Sequence, residues 1–473
     1  MRWFGGILLL LCACGAPPSP ESDAGSDGEL DAGLERDAGG GDAGFDAGFD
    51  AGAPRDAGTG LDAGMLDGGT GGTGDGGLGV LLYPTGRTHS PLTPDVVAHL
   101  QAIAALSAGK HDDVFSKVGD SNTVNTNYLS CFGGVNVDLD GRTSLDAGIG
   151  HFARGVVQGT SPYGRTSLSA TIGWSAQSAI AGSPSPLQQE IDAAQPRFAT
   201  VMFGTNDVGF ANPDLYGRSL VTIVDTLALQ GVVPVVSSIP PRDDSMTADA
   251  WVPRYNLVAR AVAQSRRVPF VDLHPLLLST PQHGLGPDGV HLNVYFPSAG
   301  ARGCVFTTSG LGYGHNVRNL ATQEGLDRAW RATTQGTAPD AMGPRMSGTG
   351  KRGDAIVIPS LPFVDARDTR VDGEANLASY PGCSTTNESG PEVLYRLELT
   401  QSINLRAFVV SLGTADIDLH LLSAPDSGQA CLARNDKVIT RALTPGTYWL
   451  SLDTYQASTG VLPGEYLLVV MAE

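Results

Sequence analysis

A serine, a glycine, an asparagine and a carboxylate–imidazole pair stand in fixed order through the middle of this 473-residue chain. They lie in Gly119-Asp120-Ser121, Ile172-Gly173-Trp174, Gly204-Thr205-Asn206-Asp207 and Asp288-Gly289-Val290-His291. These residue types suit acyl transfer. A serine hydroxyl is a poor nucleophile near neutral pH and needs a base within hydrogen-bond reach. His291 is the candidate base, because a neutral imidazole can take the Ser121 proton and later hand it to a leaving alcohol. Asp288, three residues earlier, can accept from the second ring nitrogen within one compact turn, which would fix the tautomer and stabilise the imidazolium. Pro287 and Gly289 favour a loop there. The Ser121 N–H, the Gly173 N–H and the Asn206 side-chain amide are three donors for the oxyanion of a tetrahedral intermediate. Taken singly, Asp-x-x-His is as well explained by a capping aspartate, and Asn206 by a turn. The order and the company argue for catalysis. Asp120 and Asp207 are expected to be structural, bonding nearby backbone N–H groups.

This order resembles the SGNH (GDSL-like) hydrolase family of lipases, esterases and acylhydrolases, over roughly residues 110 to 332. The four letters match Ser121, Gly173, Asn206 and His291. The chain departs from the pattern at Asn122, where the family more often has Leu or Ile, and in lacking an Asn shortly before Gly173. The resemblance implies a serine esterase working through an acyl-serine intermediate, with no cofactor. Its substrates would be small acyl esters, such as acetyl groups on a polysaccharide, or lipid esters. The alternative is a non-catalytic surface-binding lipoprotein that keeps the fold for adhesion. The full set Ser121, Asn206, Asp288 and His291 argues against it. No Gly-x-Ser-x-Gly occurs, which excludes the α/β-hydrolase elbow. With no His-Glu-x-x-His and no Cys-x-x-Cys, no metal is expected. The remaining histidines have no partner at a telling spacing; His283, near the catalytic loop, is a candidate substrate contact.

The elements that must position these motifs are readable from periodicity. Thr93-Pro94-Asp95 reads as a helix start with Thr as cap, followed by apolar residues at helical spacing. Asp113 to Val118 reads as a strand running into Gly119-Asp120-Ser121. Phe198 to Phe203, Val232 to Ile239 and Val268 to Leu273 read as further strands. Leu215 to Leu229, Trp251 to Gln264 and Val317 to Arg331 read as helices. This alternation predicts an α/β fold, a doubly wound, mainly parallel sheet with helices on both faces. Such sheets place ligands at the carboxyl ends of their strands. Two long segments, Asn127 to Arg165 and Val294 to His315, flank the motifs and read as lids or binding surfaces.

The hydrolase-like domain is expected over 79–333, a Gly/Ser/Thr/Pro-rich linker over 334–352, and an all-β sandwich over 353–473 with short antiparallel strands. From about residue 375 the chain resembles the bacterial pre-peptidase C-terminal domain, in its Asp416-x-Asp418-Leu419 run and its Gly446-Thr447-Tyr448 and Gly464-Glu465-Tyr466 starts. The resemblance implies an accessory module that binds surfaces or polysaccharide; a passive stabilising module is the alternative. Asp416 and Asp418 are expected to face water, with a bound cation as the alternative. Four cysteines fall in the folded part and allow three connectivities. Two lie in each domain, so Cys131–Cys304 and Cys383–Cys431 are the expected bridges. The first would tie the two long segments together, as a cover over the site or as a structural staple.

The N-terminus carries no fold signal. Trp3 to Leu11 is an apolar run too short to span a bilayer and reads as a secretory signal. Leu11-Cys12-Ala13-Cys14 resembles a bacterial lipobox, which implies a signal peptide over 1–13 and a lipid on Cys14. Multiple acyl chains would anchor the protein stably to a membrane. Residues 14–78 form a linker in which Asp-Ala-Gly recurs. Its fourteen acidic residues and two arginines account for −12 of the chain's −19 net charge, so the acidity is mainly a property of this segment. Few residues there could build a core, and an extended, self-repelling spacer is expected. No basic patch occurs, so nucleic acid is not expected as a partner. The protein is expected to be a monomer outside the cytoplasm. Gly15 after the lipidated cysteine points to the outer membrane.

Overall fold

The computed structural model describes residues 79–134, 136–298 and 300–473. The signal, Cys14 and the acidic linker lie outside the described residues.

Four strands form the first sheet: β1 (His111–Gly119), β2 (Pro196–Met202), β3 (Val233–Ser237) and β4 (Phe270–Val271). They pair in parallel in the order β1-β2-β3-β4. Residues 169–171 run along the opposite edge of β1: Gly119 N donates to Ser169 O at 3.1 Å and Thr171 N to Gly119 O at 3.3 Å. The chain thus turns back on itself at β1, as a doubly wound sheet requires, and the switch point falls at the end of that strand. All seven residues of β2 are buried, because helices cover both faces. Helix Gly314–Gln335 crosses one face, with Gly325 against Val235 and Val271. Helices Pro213–Leu229 and Val252–Ser265 pack together on the other.

Element boundaries moved where tertiary bonds replace local signals. The last helix starts at Gly314 instead of Val317, because the Asn293 side chain accepts from Gly314 N at 2.8 Å and so caps it from a distant loop. Thr93 is not a side-chain cap: its hydroxyl donates to Asp95 at 2.7 Å, and no backbone N–H donates to it.

Beyond residue 353 the chain is β-structured, apart from two short helical turns at Thr369–Asp372 and Gly428–Ala430. Strands β5 (Ile356–Ile358), β7 (Val393–Leu399), β9 (Ile417–Leu422), β10 (Cys431–Asn435) and β12 (Gly446–Thr454) form one sheet in the order β10-β9-β12-β7-β5. Strands β6 (Phe363–Asp368), β8 (Ile403–Ser411), β11 (Val438–Leu443) and β15 (Glu465–Ala472) form the other, in the order β11-β8-β15-β6. A small ribbon, β13 (Gln456–Ala457) with β14 (Gly460–Val461), stands apart. The pairing is antiparallel except at one edge, where β5 runs parallel to β7. Tyr395, Leu397, Leu450 and Leu452 of the first sheet face Val409, Leu468 and Val470 of the second to form the sandwich core.

Three strands of the second sheet, β6, β8 and β15, are buried on both sides. Their outer residues Val364, Ala366, Phe408, Val410, Leu467 and Val469 belong to the α/β core. They pack on helices Pro213–Leu229 and Val252–Ser265, with Val410 beside Gly217. Gln264 Nε2 donates to Val364 O at 3.0 Å, Arg266 pairs with both Asp225 and Glu465, and Arg254 pairs with Glu473. Double-sided burial explains why Tyr466 to Val470 is one unbroken apolar run instead of an alternating strand. Residues 344–346 of the linker-like stretch run alongside 80–82: Leu82 N donates to Pro344 O and Met346 N to Val80 O, at 2.8 and 2.9 Å.

Both expected disulfides are present, each with Cα atoms 5.6 Å apart. Cys304 is fully buried in the core, and Asn319 donates to Asn127 O and Gly303 O on either side of the bridge. The Cys131–Cys304 bond is therefore a staple built into the core. Asp418 does not face water. It is buried and accepts from Arg434 at 2.6 Å, because the segment stapled by Cys383–Cys431 covers that face of the sheet. Asp416 is half-buried.

Candidate active site

Strand β1 delivers Ser121. Gly119 pairs with Met202 on one side and Ala170 on the other, so the chain leaves the sheet at the switch point. Asp120 caps the one-turn helix Ser121–Val124 by accepting from Asn122 N at 3.0 Å. Burial raises the Asp120 carboxyl, against the opposing pull of the Arg318 charge.

The Ser121 hydroxyl and His291 Nε2 are 2.8 Å apart, and His291 Nδ1 is 2.6 Å from Asp288 Oδ2. The other oxygen, Asp288 Oδ1, accepts from the backbone of Val290 at 3.1 Å and of His291 at 3.0 Å. Burial alone would raise this carboxyl. The His291 ring and those two amides outweigh it and hold the group down at about 2. An ionised Asp288 requires the proton on Nδ1, which leaves Nε2 bare to accept the Ser121 hydroxyl. The pair is open to solvent, with the His291 and Asp288 side chains 43% and 53% exposed.

The catalytic loop is braced from behind. Gly289 has φ 67°, and a Cβ there would meet Asp244 N at 2.6 Å, so only glycine fits. Asp243 N donates to Gly289 O at 2.9 Å. Arg242 donates to Thr205 O and pairs with Asp244 at 2.7 Å. Residues 242–244 thereby strap the Asn206 turn to the His291 loop. His283 belongs to this strap: its Nδ1 is 2.9 Å from Asp243, and it makes no bond to the triad.

Asn206 follows the end of β2. Its Nδ2 donates one hydrogen to Trp174 O at 2.8 Å, which sets the amide beside Gly173. Gly173 has φ 79° with open space around its missing Cβ, so conformation, not crowding, asks for glycine. Asp207 accepts from Ala176 N at 3.0 Å and joins the same two segments. Burial pushes its carboxyl up to about 6, against that amide. Among the described residues neither the Ser121 N–H nor the Gly173 N–H donates to another protein group. Residues 169–174, β1 and β2 are neighbours, so all three donors rise from one sheet edge.

Several supporting residues escaped sequence reasoning. Arg318 is fully buried beneath the nucleophile turn, and Asn316, Asn319 and Gln323 are buried beside it on one helix. Polar residues at spacings of three and four along that helix are the available signal.

Residues 118–295 match the GDSL-like Lipase/Acylhydrolase family. This part of the chain is an SGNH-type serine hydrolase domain that acts on ester bonds. Similar solved structures include a GDSL-like lipase from Bacteroides thetaiotaomicron, 14% identical, covering 49% of this chain and 98% of its own, with a TM-score of 0.30. An acetylxylan esterase mutant from Geobacillus stearothermophilus is 15% identical, covering 46% and 94%, with a TM-score of 0.31. A two-domain esterase active on acetylated mannans is 10% identical, covering 81% and 96%, with a TM-score of 0.30. No curated protein sequence matches this chain.

Proposed function

We propose that this protein is a monomeric, lipid-anchored serine esterase outside the cytoplasm that removes short acyl groups from an acylated polysaccharide. The observation that carries the reading is the continuous chain Ser121–His291–Asp288, at 2.8 and 2.6 Å. Ser121 Oγ attacks the ester carbonyl as His291 Nε2 takes its proton. The Ser121 N–H, the Gly173 N–H and the second amide hydrogen of Asn206 receive the oxyanion. The intermediate collapses, the alcohol leaves with the proton from His291, and Ser121 holds the acyl group as an ester. Water, deprotonated by His291, then releases the acid and restores Ser121. Asp288 stabilises the imidazolium in both halves.

The exposure of His291 and Asp288 supports a substrate whose alcohol part is bulky, since a polymer must reach the serine without entering a tunnel. The lipobox-like Leu11-Cys12-Ala13-Cys14 supports a lipid on Cys14, and Gly15 supports the outer membrane; the acidic residues 14–78 would act as a spacer. The test is acid release from acetylated glycans and from p-nitrophenyl esters of increasing chain length. Short acyl esters and acetylated glycans should turn over, and Ser121→Ala should turn over neither. Full turnover by Ser121→Ala refutes the assignment; a preference for long chains refutes the substrate class.

A further inference from the structure

We propose that Asn122 is a positioning residue that sets the contact between Ser121 and His291, an inference that rests on the catalytic reading above. Asn122 follows the nucleophile and is fully buried. Its Oδ1 accepts from the N–H of Leu292, the residue after His291, at 3.1 Å. Its own N–H donates to Asp120 at 3.0 Å, and its carbonyl accepts from Arg318 Nη1 at 2.7 Å. One side chain therefore joins the nucleophile turn to the imidazole loop, one residue along from each reacting group.

Arg318 makes the junction rigid. Its second nitrogen donates to Thr123 Oγ1 at 3.0 Å, and its guanidinium lies 3.7 Å from the centre of the Tyr128 ring. The helix that carries Arg318 is itself bound to the imidazole loop, since Asn293 Oδ1 and O accept from Gly314 N and His315 N, both at 2.8 Å. The turn bearing Ser121 and the loop bearing His291 thus share one anchor. A leucine at position 122 has no acceptor for Leu292 N. It would leave that amide buried and unpaired and free the loop to drift from the serine.

The test compares Asn122→Leu, Asn122→Asp and wild type by steady-state kinetics on p-nitrophenyl acetate, with active sites titrated by a fluorophosphonate. A displacement near 1 Å costs about 100-fold, so Asn122→Leu should lower kcat per titrated site by about 10- to 100-fold with KM within about twofold. Asn122→Asp keeps an oxygen for Leu292 N and should recover most of the loss. A purely structural residue would change the titratable fraction and the Tm but not kcat per site. Asn122→Leu with wild-type kcat per site, or Asn122→Asp no better than Asn122→Leu, overturns the proposal. Ser121→Ala run in parallel separates the two claims: if it is inactive while Asn122→Leu is normal, the clamp fails and the catalytic reading stands. If Asn122→Leu does not fold, amide exchange of wild-type Leu292 decides. The clamp predicts exchange at least about tenfold slower than an unbonded loop amide, and exchange at the unprotected rate overturns it.

Discussion

Asn206 Nδ2 donates to Trp174 O at 2.8 Å, so the amide sits beside Gly173, with one hydrogen committed to the protein and one left for the substrate. The bond holds the amide in place before any oxyanion forms. Asn206→Ala should lower kcat by about 10²- to 10³-fold with a smaller change in KM, as loss of a single oxyanion donor does. Asn206→Asp should be at least as poor, since it sets a carboxylate where negative charge develops. Steady-state kinetics on a short p-nitrophenyl ester measures both, and wild-type kcat in either variant would remove Asn206 from the site.

Two carboxyls near the site titrate in opposite senses. Asp288 is held down at about 2, so it stays ionised across the working range, and its contribution to stability is present above the unfolded carboxyl value and lost as pH falls towards 2. Asp207 is pushed up to about 6, so its contribution is present below the unfolded value near 3.8 and lost as pH rises through 6. Asp207→Asn should therefore raise Tm more at pH 8 than at pH 4, which a pair of thermal melts would show.

The orienting carboxylate should matter despite its exposure. Asp288→Asn removes the acceptor that holds the proton on Nδ1, and loss of the correct tautomer costs up to about 10⁴-fold in kcat in a comparable triad. A fall of less than about tenfold would mean that the loop amides alone orient the ring.

The β region should not be separable from the hydrolase domain. Val410 is buried against Gly217, and the sheet around it covers two helices. Val410→Asp should cost about 3 to 5 kcal/mol in urea unfolding, the scale of a buried unpaired charge. A chain ending at residue 345 should aggregate or melt far below the full protein. A soluble, cooperatively melting fragment with wild-type Tm would show that the contact is incidental.

The staple should stabilise without taking part in chemistry. Cys131→Ser with Cys304→Ser opens a loop closed across 173 residues and should cost about 2 to 5 kcal/mol. Activity per folded molecule should hold at a temperature below the lowered Tm. A selective loss of kcat would instead give the bridge a role at the site.

Much of this architecture was legible because local signals and tertiary demands agreed. Strand β2 is apolar from Phe198 to Met202 apart from Thr200, and β3 from Val233 to Val236, as strands buried on both faces should be, and each catalytic motif follows a strand end or lies in a loop marked by Pro or Gly. What was not legible depends on contacts between distant segments. The docking of β15 on the helices had a trace in its unbroken Tyr466 to Val470 run, but a sandwich read alone assigns that run no partner. The burial of Asp418 arises from a covering segment that strand alternation does not reveal. The long-range cap on Gly314 and the Asn122 junction rest on side chains whose partners lie 21 and 170 residues away. No periodicity encodes such pairings.

The most direct test of the account is covalent trapping of the nucleophile. A fluorophosphonate should add once per molecule, and peptide mapping should place the adduct on Ser121. His291→Ala should label far more slowly, and the Ser121→Ala/His291→Ala double variant should hydrolyse esters no worse than either single variant, because the groups act as a unit. An adduct on another residue, or undiminished turnover in Ser121→Ala, would contradict the assignment of Ser121 and His291 as nucleophile and base.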